Sequence, residues 1–240
     1  MRTLLGLFAL SLNVIALAED APLRLLVITG SHPFDSRFYS LFDGYKDIEW
    51  DKKTQTSQPC AAFSKDFARD YDVVLLYDFE MKIGGEQKAA FESAFGEGRG
   101  LIVLHHALCS HPTWPKFREI AGGQFFFDPR DGFPKSEYKG NVEMTYRAAD
   151  PEHPVTKGVE EIKVVEEPYK FVFRPGDAKS LLMSANPESD AVVAWTTEYK
   201  KSRVIAIEPG HGGDIFQEPN YRRFIAQAIR WVARREAPAK

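Results

Sequence analysis

The chain has 240 residues, of which 44% are hydrophobic and 27% charged, and a formal net charge of −3. That composition is ordinary for a soluble globular protein, and the length suits one large domain or two small ones. There is no basic surplus of the kind that binds nucleic acid, and so small an acidic balance implies nothing beyond solubility.

The first element is not part of the fold. Arg2 precedes an apolar run from Leu4 to Leu17, broken only by Ser11 and Asn13, and Ala16-Leu17-Ala18 has the small-x-small form of a cleavage site. This reads as a secretory signal over residues 1–18, since the run is too short to cross a bilayer comfortably. The expected mature chain, 19–240, is then exported to a periplasm or the medium and keeps no membrane contact. An oxidising compartment permits a disulfide between Cys60 and Cys109, although sequence does not bring them together.

Next comes the apolar run Leu23 to Thr29, which reads as a strand buried on both faces, then a loop from Gly30 to Pro33. Arg37 to Tyr45 carries Phe38, Leu41, Phe42 and Tyr45 on one helical stripe. Ile48 to Lys53 is a second strand, Phe63 to Arg69 a short helix, and Asp72 to Tyr77 another buried strand. Glu86 to Phe95 is helical and ends at Gly96 and Gly98. Gly100 to Leu104 is a strand, and Pro115 to Ala121 a helix that Gly122-Gly123 stops. From Gln124 to Pro187 the pattern changes: Asn141 to Ala148 and Ile162 to Val165 are strands with no helices between them. Ala191 to Thr196 and Arg203 to Ile207 flank a polar turn, so they predict an antiparallel hairpin at the sheet's edge. Tyr221, Phe224, Ile225, Ala228, Trp231 and Val232 form the stripe of a last helix, and Ala237 to Lys240 is a frayed tail. Buried strands alternating with amphipathic helices predict a doubly wound α/β fold, mostly parallel, with an antiparallel extension.

Three of the strands end in histidine: the first at Ser31-His32, the Gly100 strand at His105-His106, and the Arg203 strand at His211. Open parallel sheets bind ligands outside the carboxyl ends of their strands, so His32, His106 and His211 are expected in one site. Imidazole suits both proton transfer and metal ligation. Neighbouring strand residues face opposite ways, so one of His105 and His106 enters the site and the other packs behind it, and both converge only if the strand has already ended. Asp78 and Glu80 follow the third strand, where a carboxylate can orient an imidazole, bind sugar hydroxyls or simply cap the next element. In Glu166-Glu167-Pro168-Tyr169, one acid aimed inward would serve as general acid or base. Asp214 is placed to fix the tautomer of His211. Tyr169 and Trp195 offer flat faces for a sugar ring or for the core. His111, in a loop, reads as solvated, and His153 sits in a proline-bounded turn. Cys109 lacks a thiol-enzyme motif and reads as a small buried side chain. Without G-x-G-x-x-G, no nucleotide cofactor is expected.

The segments LLVITGSHPFD, DVVLLYD, GLIVLHHAL, WPKFREIAGGQF, EHPVTKGV, EEPY and RVIAIEPGHGGD, followed by NYRRFIAQAIRW, resemble the ThuA-like family, named for trehalose utilisation. The resemblance covers nearly all of the mature chain and implies a single flavodoxin-like domain similar to the class I glutamine amidotransferases. The amidotransferase cysteine in its glycine-rich elbow is missing, which disfavours that chemistry. The family associates with disaccharide and glycoside catabolism, often beside oxidoreductases that make 3-keto sugars. The matched positions are His32, Asp78, His105, His106, Glu167 and His211.

Two functions of different class follow. One is an exported lyase or hydrolase acting on glycosides or 3-keto-glycosides, with His32, His106, Glu167 and His211 catalytic and Ser31, Asp78, His105, Tyr169, Trp195 and Asp214 binding substrate. In one form of it His32, His106 and His211 hold a divalent ion such as zinc; in the other the histidines act alone. The second function is a non-catalytic carbohydrate-binding domain on an amidotransferase-like scaffold, which fold alone does not distinguish. In both the partner is a small carbohydrate and not nucleic acid.

Overall fold

The computed structural model describes residues 21–55 and 60–236. The expected signal segment and the C-terminal tail lie outside them. The strands in chain order are β1 (Leu23–Gly30), β2 (Ile48–Gln55), β3 (Val73–Asp78), β4 (Gly100–Leu104), β5 (Glu137–Tyr138), β6 (Val142–Ala148), β7 (Ile162–Glu166), β8 (Tyr169–Lys170), β9 (Lys179–Ser184), β10 (Val192–Tyr199) and β11 (Ser202–Ile207). The helices are α1 (Gly85–Gly96), α2 (Pro115–Ala121) and α3 (Pro219–Val232). Nine strands form one sheet in the order β2-β1-β3-β4-β11-β10-β9-β6-β7, and β5 pairs with β8 separately.

The first five strands of that order are all parallel. They give the flavodoxin-like 2-1-3-4-5 arrangement, in which ligands bind where the strand order reverses, at the carboxyl ends of β1 and β3. The remaining pairings are antiparallel. Alternation along each central strand splits the core into two layers. Leu25, Val27, Val73, Leu75, Ile102, Leu104, Ile205 and Ile207 pack with α3. Leu26, Ile28, Val74, Leu76, Leu101, Val103, Val204 and Ala206 pack with α1 and α2. Helix α3 starts where the Glu218 carboxylate accepts the Tyr221 amide, with Pro219 in its first turn, an arrangement that needs no amide from the proline.

Three expectations on local structure change. The β10–β11 hairpin lies inside the sheet and joins the two halves, because β11 pairs with β4 as well as β10, and β10 pairs with β9; an edge strand keeps one hydrogen-bonding side open. Ser36–Phe42 is a 3-10 turn and not an α-helix. There Arg222 takes the carbonyls of Ser40 and Asp43, so the turn cannot continue. Residues 63–69 form turns and not a helix, and Asp66 has a φ of +59° that breaks any helical run. The 124–187 segment does extend the same sheet, through β6, β7 and β9.

Gly100 marks the closest approach of β4 to α3, since a Cβ there would lie 2.8 Å from the Val232 backbone. Gly100→Ala is expected to destabilise the fold by about 1–3 kcal/mol through overpacking. Urea unfolding measures this, and an unchanged midpoint would contradict the packing.

Candidate functional site

The strand ends deliver their imidazoles to one place. Ser31 and His105 leave β1 and β4 in the left-handed region, with φ of +61° and +46°. These turns let the chain swing its next side chains over the sheet edge. His105–Cys109 is a 3-10 turn, so both histidines reach the site and the strict alternation expected of a strand does not apply. The His32 and His106 rings are 4.1 Å apart, His105 and His106 4.5 Å, His105 and His211 5.4 Å, and His106 and His211 5.5 Å. Glu167 faces them, with carboxylate oxygens 3.7 Å from His105 Nε2 and 3.9 Å from His211 Nε2. Tyr169 Oη is 3.0 Å from His105 Nε2.

The hydrogen bonds set the proton positions. His105 Nδ1 lies 2.5 Å from the Glu208 carbonyl, which only accepts, so Nδ1 carries a proton. Nε2 then faces both the Tyr169 hydroxyl and the Glu167 carboxylate. His32 Nδ1 likewise donates to the Pro33 carbonyl at 2.7 Å. Burial pushes His106 far below the ordinary histidine range, with the neighbouring His105, His32 and His211 adding to it. It is a neutral ring whose Nε2 has no hydrogen-bond partner among the described residues. Burial acts to raise Glu167, but the hydrogen bond with His105 and the fields of His211, His105 and His32 outweigh it and hold the carboxyl below its ordinary value. The site therefore combines a neutral buried imidazole with an ionised, partly exposed carboxylate.

Glu166 does something the sequence did not single out. Its buried carboxylate accepts the amides of Gly210 (3.2 Å), His211 (3.1 Å) and Gly212 (2.8 Å). From the other side, Tyr77 donates to the Gly210 carbonyl at 2.7 Å and Tyr221 to the Pro209 carbonyl at 2.6 Å. Gly210 has a φ of +151°, and a Cβ there would lie 3.1 Å from Leu104 Cδ1. The loop that carries His211 is thus held on both its amides and its carbonyls. The one sequence signal was the paired acids, where a single inward acid was expected to serve as general acid or base and not to hold a loop.

Other expected residues lie elsewhere. Trp195 is in the core, its indole N–H donating to the Gly122 carbonyl at 2.6 Å, and cannot stack on a ligand. Asp214 is exposed and pairs with Arg37 at 2.9 Å, away from any role on the His211 tautomer. Asp78 is turned inward and fully buried, so it does not meet a substrate; burial raises its carboxyl to about 7. Ser31 stays at the rim, donating to Glu80 at 3.1 Å. His111, expected in solvent, is buried, with Nε2 3.7 Å from Cys60 Sγ. Cys60 and Cys109 are both free, and burial lifts the Cys109 thiol to about 12, which leaves it unreactive. His153 packs on Trp231, remote from the cluster. For a metal, the set that converges is His105, His106 and His211, with ligand atoms within 4.8 Å of one another; His32 is not in it. Two open clefts lie apart from the histidines: one of about 820 Å³ between residues 63–69 and α1, and one of about 800 Å³ beside Arg37, Val165 and Asp214.

With this geometry in place, the comparisons fit together. The ThuA family profile, described as trehalose utilisation, matches residues 35–232. The chain belongs to that family, whose description ties it at a coarse level to carbohydrate metabolism. Among solved structures, a ThuA-like protein of Parabacteroides merdae superposes with a TM-score of 0.77 at 18% identity, covering 91% of this chain and 92% of that one. A ThuA-like protein of Bacteroides uniformis gives 0.68 at 21% identity, over 91% and 94%. A cytoplasmic protein of Salmonella typhimurium gives 0.62 at 15%, over 88% and 99%. At such identities the likeness is one of fold. No curated protein matches the sequence. Among the described residues, no helix is long and apolar enough to cross a membrane.

Two predictions follow from these contacts. Glu166→Gln replaces a charged acceptor of the three loop amides with a neutral one, and bonds to charged groups are worth roughly 1.5–3 kcal/mol each. The variant is expected to lose about 2–4 kcal/mol of stability, with faster amide exchange at Gly210–Gly212 than elsewhere; uniform protection would contradict the anchoring. Asp78 protonates at about 7 in the folded chain against an ordinary 3.8. Its raised value makes the protonated form the one the fold prefers, so that stability is present below about pH 4 and is lost as pH rises towards 7. Asp78→Asn should remove this loss, gaining a few kcal/mol over the parent at about pH 8 and nothing at about pH 4; equal gains at both would disprove it.

Proposed function

We propose that this protein is an exported enzyme that cleaves 3-keto-glycosides by proton abstraction and elimination. The observation that carries this reading is Glu167, ionised and partly exposed, set between the imidazoles of His105 and His211. A ketone at C3 of a sugar acidifies the hydrogen at C2. The Glu167 carboxylate takes that proton, and the C–H electron pair forms the C2=C3 bond while the carbonyl oxygen becomes an enolate. As the carbonyl re-forms, the pair shifts to make C1=C2 and the bond from C1 to the glycosidic oxygen breaks. His211 gives a proton to the departing oxygen, and Glu167 returns the abstracted proton to His211. The products are an unsaturated keto sugar and a free alcohol, and no oxidant or reductant is consumed. His32, protonated on Nδ1, and the neutral His106 flank the developing enolate. Fixed polar groups around such charge are usually the largest contribution to catalysis.

One observation favours a metal-assisted form of the same reaction. His105, His106 and His211 present converging ligand atoms, and His106 Nε2 is buried without a partner. These imidazoles would hold a divalent ion such as zinc if His105 gave up its contact with Tyr169. The ion would supply a Lewis acid for the enolate oxygen.

The test is product analysis of native and 3-keto disaccharides by mass spectrometry. The expected outcome is turnover of the keto compound only, with Glu167→Gln reducing it by at least about 10²-fold, the ordinary contribution of a general base. The rate is expected to fall on the acid side only below the ordinary glutamate range, because Glu167 must lose its proton to act. Sugar binding without turnover of either class would instead support the binding-domain function. A chelator separates the two forms: loss of activity restored by zinc supports the metal, and an unchanged rate supports the histidines alone.

A further inference from the structure

The histidines are one side of a longer circuit of rings. From His105 the contacts pass to Tyr169 at 4.5 Å, to Phe125 at 5.0 Å and to Phe127 at 5.2 Å. They continue to Phe79 at 5.8 Å and to His32 at 5.7 Å. His32 then meets His106, and His106 meets His105 again, at 4.1 and 4.5 Å. His105, His106, Tyr169 and Phe125 are buried, whereas Phe79, Phe127 and His32 are half-buried. The planes of Phe79 and Phe127 are inclined by only 11°. Both rest on a small apolar cluster of Cys109, Phe125 and Tyr169, separate from the two main cores.

Core packing explains the buried rings but not why two benzene rings stay half-buried at the rim of a polar site. A pyranose has an apolar C–H face and a polar hydroxyl rim, and flat aromatic rings bind such faces. The acid–base groups occupy the histidine side. The His32 and Phe79 rings are 5.7 Å apart, so a glycoside with its reacting ring among the histidines would reach Phe79 with its other half. We infer that Phe79 and Phe127 form a platform for the departing half of the substrate, and that the preferred substrates carry a flat apolar face on that half, either a second pyranose or an aryl ring. This inference rests on the keto-glycoside reading above and adds which end of the substrate lies where.

The probes are the methyl, phenyl and glucosyl members of a 3-keto-glucoside series. Their binding is measured by calorimetry on the Glu167→Gln protein, in which turnover is expected to be slowed at least about 10²-fold. The phenyl and glucosyl compounds are expected to bind about tenfold more tightly than the methyl compound, the upper range for an aromatic contact. Adding Phe79→Leu and Phe127→Leu keeps apolar volume without a flat face and should bring the three probes within about twofold of one another; circular dichroism checks that the fold survives. Two results would overturn the platform: no preference in the parent, or a preference that survives both substitutions. If the wild-type enzyme turns over the methyl compound while showing no preference, only the platform falls. If none of the three binds or reacts, the keto-glycoside reading falls and the platform with it.

Discussion

The buried carboxylate of Glu166 holds the site together. It stands at the end of β7, the last strand of the sheet order, yet it accepts amides from the loop after β11, a central strand. Twist accumulates across large sheets, and in this one the end of β7 comes back to the loop after β11. A charged acceptor that matches three converging amides closes that curve. The same contact fixes Gly210–Gly212, and with them the backbone of His211. It also sets the position of Glu167, the next residue, against the imidazoles. Without it, His211 and Glu167 would be carried by unrelated parts of the fold.

The site shows how one fold gives similar groups opposite protonation states. His106 is buried among three other imidazoles, and the cost of desolvating a cation keeps it neutral. Glu167 is also partly buried, but its contacts with the imidazoles of His105, His211 and His32 outweigh desolvation and hold it below the ordinary range. Asp78 is deeper still, with no cation beside it, and retains its proton up to about 7. Both acids follow strands at the same edge of the sheet. Environment, not sequence position, decides which one is available for chemistry.

Much of the fold was legible because continuous apolar strands and a striped C-terminal helix leave few arrangements that bury both. The strand-end rule predicted that His32, His106 and His211 would lie near one another, and their rings do neighbour at His106. What remained hidden depends on non-local contacts. Nothing local tells that β11 is central, that Arg222 ends the 36–42 turn, or that Trp195 points into the core. Glu166 and Glu167 are chemically identical in sequence, and only the returning curve of the sheet gives one to backbone amides and the other to histidines. Phe79 and Phe127 are too far apart in the chain for spacing to pair them.

The central claim is that Glu167 removes a proton beside a carbonyl at a cluster of imidazoles. The most direct measurement places a 3-keto-glucoside in heavy water with the enzyme and follows its C2 hydrogen by NMR. Exchange of that hydrogen for deuterium, or its loss with release of the alcohol, is the predicted result, together with its suppression in Glu167→Gln. A C2 hydrogen that persists while the glycosidic bond is cleaved would contradict the account.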